Sequence, residues 1–499
     1  MLGSTCAEAA QRFGDRPAFV AASGWPVSYR HLHRLSDEAA VGLAERGIGE
    51  GSVVALTLPS TPDYVVAHLA LAKLGAITAG VNPRLTAHER AEALEVLGPD
   101  VVVATGDGHD TVAVQPASSP EELLAAIRVP GATPPPLRWD PDRPVTIVLT
   151  SGTTGRPRGA VFSNHELCAV TASDVGGGWG GGGPTIPGTQ FAHVGFMTKL
   201  AGHLRVGATA YLMERWRAEE VLDLVERHRM PVVGGVAAQV ALLLRDPRLD
   251  DRDLSCVRAI VVGAGPSPPA LVEEARRRLG APYSIRYSST ESAGVGCATA
   301  FDADDEEALH TVGRPRAGVE VQVRDESEQA LPAGEVGRVC LRSACVMAGY
   351  WRDPKATADA LRDGWLHTGD LGCLGAARRL RLVGRSSEMF IRGGYNVFPQ
   401  EVEAVLGTHP GIDRVVVVPR PDDVMGEVGV AVVVAADPSG PPDVEELRAF
   451  AGERLAKHKL PEAVWPVDAL PLTPGDKIDR AGLARELRDA SSREDSDGD

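Results

Sequence analysis

The sequence predicts an α/β protein. It should have a large N-terminal domain of parallel-rich sheets flanked by helices, with a small β-lobe, followed by a small mobile α+β C-terminal domain. Three observations predict it: recurring strand–helix–strand alternation, a change to short turn-separated strands near residue 316, and a compact mixed ending after residue 388. SVVALTLP (52–59) reads as a buried strand, TPDYVVAHLALAKLG (61–75) as a helix closed by Gly75, and ITAGVNP (77–83) as a second strand. That spacing suggests a βαβ unit in a parallel sheet. The pattern returns in RAEALEVLG and DVVVAT, in the helix before PVVGGV (231–236), and in RAIVVGAG (258–265), PALVEEARRRLG and YSIRYSS.

GVEVQVRDE, GEVGRVCLRS and LRLVGR form the expected β-lobe. The ending holds a helix (PQEVEAVLGTH), two strands (DRVVVVPR, GEVGVAVVVAA), a second helix (DVEELRAFAGERLA) and a hairpin-like LPLTPGDKID. It spans about a hundred residues, an ordinary domain size. The expected division is 1–384, a hinge at 385–387, 388–488, and an acidic disordered tail at 489–499. VGGGWGGGGP (175–184) stands apart. It reads as a flexible surface loop or as a mobile flap over a ligand, with Trp179 as its cover.

Composition narrows the function. The 499 residues are 43% hydrophobic and 24% charged, enough to bury a large core. Lys and Arg total 51 against 67 Asp and Glu, and the net charge of -16 argues against general nucleic-acid binding. No apolar run approaches the ~18 residues of a membrane span, and the N-terminus lacks a signal-peptide pattern. The seven cysteines include no CxxC pair, so neither a disulfide framework nor a zinc site is expected, and the cytoplasm is the expected compartment. An oligomer is compatible with the sequence. The chain strongly favours arginine. Its six lysines are Lys73, Lys199, Lys355, Lys457, Lys459 and Lys477, which makes each worth attention.

TIVLTSGTTGRPRGAVFSN (146–164) carries the strongest chemical signal. A strand runs into a loop of small hydroxyl residues and glycines, where backbone N–H groups can converge on an anion and Arg158 adds charge. The loop is not a GxxxxGK[ST] sequence. With this string the chain resembles the adenylate-forming superfamily of acyl-CoA and aryl-CoA ligases, luciferases and peptide-synthetase adenylation domains. The resemblance covers almost the whole chain. It continues in order through FAHVG (191–195), VGAGPS (262–267), YSSTE (287–291), GWLHTGDLG (364–372), VGRSSEMFIRGGYNVFPQEVE (383–403) and LPLTPGDKIDR (470–480).

The resemblance implies roles. Thr150, Ser151, Gly152, Thr153, Thr154, Gly155 and Arg158 would cradle phosphate, and Gly263, Ala264 and Gly265 would lie under the nucleotide. Tyr287 would face adenine, with Ser288, Ser289 and Thr290 beside the phosphates and Glu291 holding Mg²⁺. Asp370 would accept hydrogen bonds from both ribose hydroxyls from a turn, and Arg385 would contact the nucleotide. His193 would position the carboxylate. Gly234, Val236, Ala237 and Arg286 would line the acyl pocket, with Ala238 and Gly235 among the small residues there. Ser387 would be the hinge, Gly393 and Gly394 would border the coenzyme A arm, and Lys477 would be the catalytic cation.

The implied reaction joins a carboxylic acid to coenzyme A at the expense of ATP, through an acyl-AMP. Two alternatives stand beside it. One is a stand-alone adenylating enzyme serving a carrier-protein phosphopantetheine or another nucleophile. The other is a nucleotide-binding regulatory homologue with weak catalysis. The chain departs from the family's usual residues at four places. Arg158 replaces a lysine, and Arg286 and Ser288 replace glycines beside Tyr287. Ser387 stands at the hinge, and Asp476 precedes Lys477. Arg286 is expected either to narrow the pocket or to join a structural salt bridge.

Overall fold

The computed structural model describes residues 2–105, 111–150, 157–265, 267–385, 388–393, 395–422, 424–437, 440–473 and 477–487. The expected roles of Ser151, Gly152, Thr153, Thr154, Gly155, Ser387, Gly394 and Asp476 fall outside the described residues, as does the 489–499 tail. The described chain divides into two compact units. One comprises Met1–Ser267, Leu271–Val321 and Cys340–His367, the other Pro268–Ala270, Gln322–Val339 and Thr368–Asp499.

In the first unit the predicted βαβ segments divide between two sheets, those before residue 105 lying in the first. Its described order is Gly349–Tyr350, Arg158–Ser163, Pro144–Thr150, Ile77–Gly80, Val53–Thr57, Val101–Ala104 and Thr111–Ala113. The strands from Pro144–Thr150 through Thr111–Ala113 run parallel, and Arg158–Ser163 turns back antiparallel. The helix Pro62–Leu74 has Pro at its start and ends at Gly75, as the sequence suggests. Strand residues Val54 and Leu56 pack with helix residues Leu69 and Leu71 in a buried core. A second sheet orders Val232–Val236, Ala259–Gly263, Tyr283–Tyr287, Cys297–Ala298 and Arg314–Pro315, parallel for its first three strands. The carboxyl ends of such parallel strands are where α/β folds place their ligands.

The glycine-rich segment is irregular and partly exposed, as a surface loop would be, with Trp179 half-buried. Its ring lies 6.4 Å from that of Phe13, and the guanidinium groups of Arg12 and Arg205 sit over it at 4.8 and 5.3 Å. Gly180 and Gly182 donate to the carbonyls of Arg205 and Val206. An aromatic anchor with a cation on it outweighs the freedom of the glycines.

In the second unit, Ile412–Asp422 and Gly426–Ala435 form a long antiparallel pair, with Ala463–Pro466 in parallel and Phe390–Arg392 antiparallel along the other edge of Gly426–Ala435, and Tyr395–Val397 beyond Phe390–Arg392. Alternate valines face opposite ways. Val417, Ala431 and Val433 pack on Val402, Leu406 and Leu447 of the helices, while Val416, Val418, Val430 and Val432 meet Leu470 and Leu483. The hairpin-like ending appears as a bridge between Leu472 and Ile478.

Candidate functional site

Thr150 and Arg158 pair across antiparallel strands, which brings together the two ends of the 151–156 segment. Glycine is required at 159. A Cβ there would lie 2.5 Å from Ile147 Cγ2, and the Gly159 carbonyl accepts from the Trp351 N–H at 2.7 Å. This close approach seats the Gly349–Tyr350 strand beside Arg158, whose guanidinium lies 5.6 Å from the Tyr350 ring centre. The Tyr350 hydroxyl in turn donates to Glu291 Oε1 at 2.8 Å. Burial first, then the charge of Glu291, push the Tyr350 phenol well above its ordinary range, so it remains a donor. Glu291 is also held through its backbone carbonyl, which accepts from the Met347 N–H at 2.8 Å.

The turn that presents Glu291 is built by two serines. The Ser289 N–H donates to Ser292 Oγ at 3.0 Å, and the Ser292 N–H donates to Ser289 Oγ at 3.2 Å. Thr290 lies within this turn, and its carbonyl accepts from Ala293. Tyr287 ends the preceding strand, opposite Cys297, and is half-buried with Ser288 after it. Glu291, Thr290 and Tyr287 are thus on one short, internally braced turn.

Across the second sheet, Val236 pairs with Gly263, and Gly263 pairs with Arg286. Three expected site residues form one row at the strand ends. Ala264 follows with φ of 66°, a left-handed conformation unusual for a residue with a Cβ, and Gly265 comes next. Gly234 lies two positions before Val236, and Ala237 begins the next helix. The Val236 N–H is capped by Gln239 Oε1 at 3.0 Å. Among the described residues Arg286 does not join the structural salt bridge that was one expectation. Among the described residues it has no ion pair, and its guanidinium lies 5.7 Å from the Phe301 ring centre.

His193 caps the short helix Val194–Met197, and its carbonyl accepts from Phe196 and Met197. Its Nε2 lies 3.2 Å from the amide nitrogen of buried Asn82. An amide nitrogen only donates, so Nε2 is the acceptor in this pair. Asn82 Oδ1 accepts from the Arg84 N–H at 3.0 Å, which fixes the amide. Phe191 and Phe196, on either side of His193 in sequence, stack on one another at 3.7 Å. The sequence reading missed both Asn82 and Tyr350. Asn-Pro directly after a strand, and an aromatic pair before RDP, were the available signals.

In the second unit Asp370 sits in a strand, Trp365–Leu374, rather than in a turn. It pairs in register with Arg385, whose Nε is 3.1 Å from Asp370 Oδ1. The turn-like composition of TGDLG reflects Gly369 at φ 77° and a register shift after Leu371, which kink a continuous strand. The Asp370 N–H donates to Thr368 Oγ1 at 3.2 Å. Gly393 has φ of 56°, and a Cβ there would lie 2.6 Å from Met425 Cε. Its N–H donates to the Met425 carbonyl at 2.8 Å. Lys477 is exposed. Its carbonyl accepts from the Thr473 N–H at 2.6 Å, closing the loop that carries it. Three residues on, Arg480 holds Glu403 with both terminal nitrogens, each contact at 2.6 Å.

The AMP-binding enzyme family matches residues 6–351, and the AMP-binding enzyme C-terminal domain matches residues 401–477. The fatty acid–[acyl-carrier-protein] ligase ScoC of Streptomyces coeruleorubidus is 32% identical over 495 residues, covering 96% of this chain and 94% of that protein. A feruloyl-CoA synthase from an Amycolatopsis species is 32% identical over 488 residues, covering 95% and 96%. Among solved structures, the amide bond synthetase McbA from Marinactinospora thermotolerans matches with a TM-score of 0.85 at 31% identity, over 98% of this chain and 100% of that chain. No helix among the described residues is long and apolar enough to cross a membrane.

Proposed function

The chain belongs to the AMP-binding enzyme family, and from that premise we propose that it is an ATP-dependent, AMP-forming carboxylic acid–CoA ligase. One observation supports it most. The Arg158–Tyr350–Glu291 chain of contacts joins a cation at the end of the predicted phosphate segment to an oriented carboxylate.

A carboxylate is a poor electrophile, so the acid first attacks the α-phosphate of ATP and pyrophosphate leaves. The thiol of coenzyme A then attacks the acyl carbonyl and AMP leaves. Each step needs anions positioned and charge neutralised. In this reading the 150–158 segment holds phosphate, Tyr287 meets adenine, and Asp370 accepts from the ribose hydroxyls, with Arg385 beside it. His193, oriented by Asn82, receives the acid carboxylate, and Val236, Ala237 and Gly234 border its chain. Lys477 neutralises charge shared by the α-phosphate and the incoming oxygen. The 388–488 domain turns about 385–387 between the two steps, and the Gly393 backbone borders the pantetheine arm.

Mg²⁺ fits Glu291, a half-buried carboxylate with one oxygen held by a phenol and the other without a hydrogen-bond partner among the described residues, which suits a hard cation that keeps water and phosphate ligands. Such an ion supplies charge neutralisation on the phosphates. The buried thiols Cys6, Cys297, Cys340 and Cys345 suit a reducing cytoplasm.

A second reading concerns the acceptor. The carrier-protein ligase and the amide synthetase among the similar proteins favour a carrier phosphopantetheine or an amine in place of coenzyme A. The test is pyrophosphate release across aliphatic, aryl and polycyclic acids, with and without coenzyme A. Acid-dependent release with a CoA thioester and AMP as products is expected. Thioester formation only on a carrier protein would favour the second reading, and no release with any acid would overturn the first.

A further inference from the structure

Two cations hold one carboxylate beside the predicted acid pocket, and a third stands within electrostatic range of it. Lys199 Nζ lies 2.7 Å from Asp174 Oδ2, and Arg316 reaches Asp174 Oδ1 at 3.0 Å. Arg286 is within electrostatic range of both Arg316 and Asp174, and has no ion pair among the described residues. Two positive charges are therefore left over in a region that is three-quarters or more shielded at Lys199, Asp174 and Arg316. Surplus buried charge is costly unless something pairs with it.

The cluster adjoins the candidate site. Lys199 follows the helix that His193 caps, with only Thr198 between them. A Cβ on Gly294, three residues past Glu291, would lie 3.4 Å from Lys199 Cε, 3.7 Å from its Nζ and 4.0 Å from Val194 Cγ2. Arg286 stands in the Val236–Gly263 row. The Lys199 Nζ is shielded from solvent and, Asp174 aside, meets no hydrogen-bond partner among the described residues. Burial draws its affinity for a proton down, with the neighbouring Arg316 adding to the effect and Asp174 opposing it.

We propose that this cluster selects the acid: the preferred substrate is a dicarboxylate, with one carboxylate adenylated and the other kept ionised against Lys199 and Arg286. The proposal rests on the ligase reading. It differs from a purely structural network, in which Asp174 would answer the cations and the substrate tail would be apolar.

The experiment compares pyrophosphate release for matched acids, butanoate with succinate and hexanoate with adipate, using the full chain with ATP and magnesium. The dicarboxylate should exceed its monocarboxylate partner in kcat/KM by about tenfold or more, the scale of one charge-assisted contact. Lys199→Met and Arg286→Met should each collapse that ratio. Arg286→Met leaves the Asp174 pairs intact, so it reads selectivity even if Lys199→Met unfolds, which thermal melting would reveal. Monocarboxylates used equally or better by the parent, or a ratio unchanged in both variants, would overturn the proposal while leaving the ligase reading standing. No release with any acid would overturn the ligase reading, and the proposal with it.

Discussion

Tyr350 donates its hydroxyl to Glu291 across 2.8 Å, although the two residues are 59 positions apart. The bond joins the turn after Tyr287 to the strand beside Arg158. It makes a conserved-volume change informative. Tyr350→Phe keeps the ring under Arg158 and removes only the hydroxyl. The variant should fold as the parent does but need more Mg²⁺ for half-maximal pyrophosphate release, by about tenfold, the usual scale for one lost bond to a charged group. A magnesium titration at saturating ATP checks it. An unchanged titration would separate Glu291 from the metal.

Asn82→Ala should disorient His193, whose Nε2 it meets at 3.2 Å. The effect should fall on the acid, with kcat/KM for the acid lowered about tenfold and ATP affinity by calorimetry unmoved. Equal loss for both substrates would assign Asn82 a general packing role.

Arg480 is a positioning residue. It grips Glu403 twice at 2.6 Å, and Glu403 accepts as well from the Val417 N–H at 2.7 Å. Arg480→Met should leave that carboxylate short of partners and cost about 2 kcal/mol in stability, below the range for fully buried pairs because the guanidinium is partly exposed. It should also slow adenylation by loosening the root of the Lys477 loop. Thermal unfolding and pyrophosphate release in the same preparation check both effects, and Arg480→Lys should restore part of the stability.

Acid should weaken the fold through His68. The residue is fully buried, its Nδ1 lies 2.7 Å from Thr78 Oγ1, and burial lowers its pKa from 6.5 to about 4. A folded pKa below the unfolded one means that the neutral ring's contribution is intact above pH 6.5 and disappears as pH falls through about 4. The loss should reach about 2–4 kcal/mol. Urea unfolding of the parent and His68→Gln across this range checks it: the parent's slope with pH should be the steeper.

The periodic elements were legible because burial writes them locally. The alternation around 52–83 and the valine run at 412–435 state their own faces. Tertiary partnerships leave no such trace. Asn82 and His193 are 111 positions apart, and neither carries a periodic signal toward the other. Asp370 read as a turn because glycine and aspartate favour turns, whereas its register with Arg385 holds it in a strand. Trp179 read as mobile because glycines surround it, whereas contact with Phe13, Arg12 and Arg205 fixes it. In each case long-range packing overrides local preference.

The central claim is that Lys477 serves adenylation and not thioester formation. The most direct measurement separates the two steps in Lys477→Ala. Acid-dependent pyrophosphate release should fall about 10²–10³-fold, the scale for losing one preorganised charge donor. The melting temperature should hardly move, since Lys477 is exposed. Given prepared acyl-AMP and coenzyme A, the variant should form thioester at near the parent rate. Normal pyrophosphate release would remove Lys477 from the chemistry, and equal failure with supplied acyl-AMP would contradict the alternation of steps.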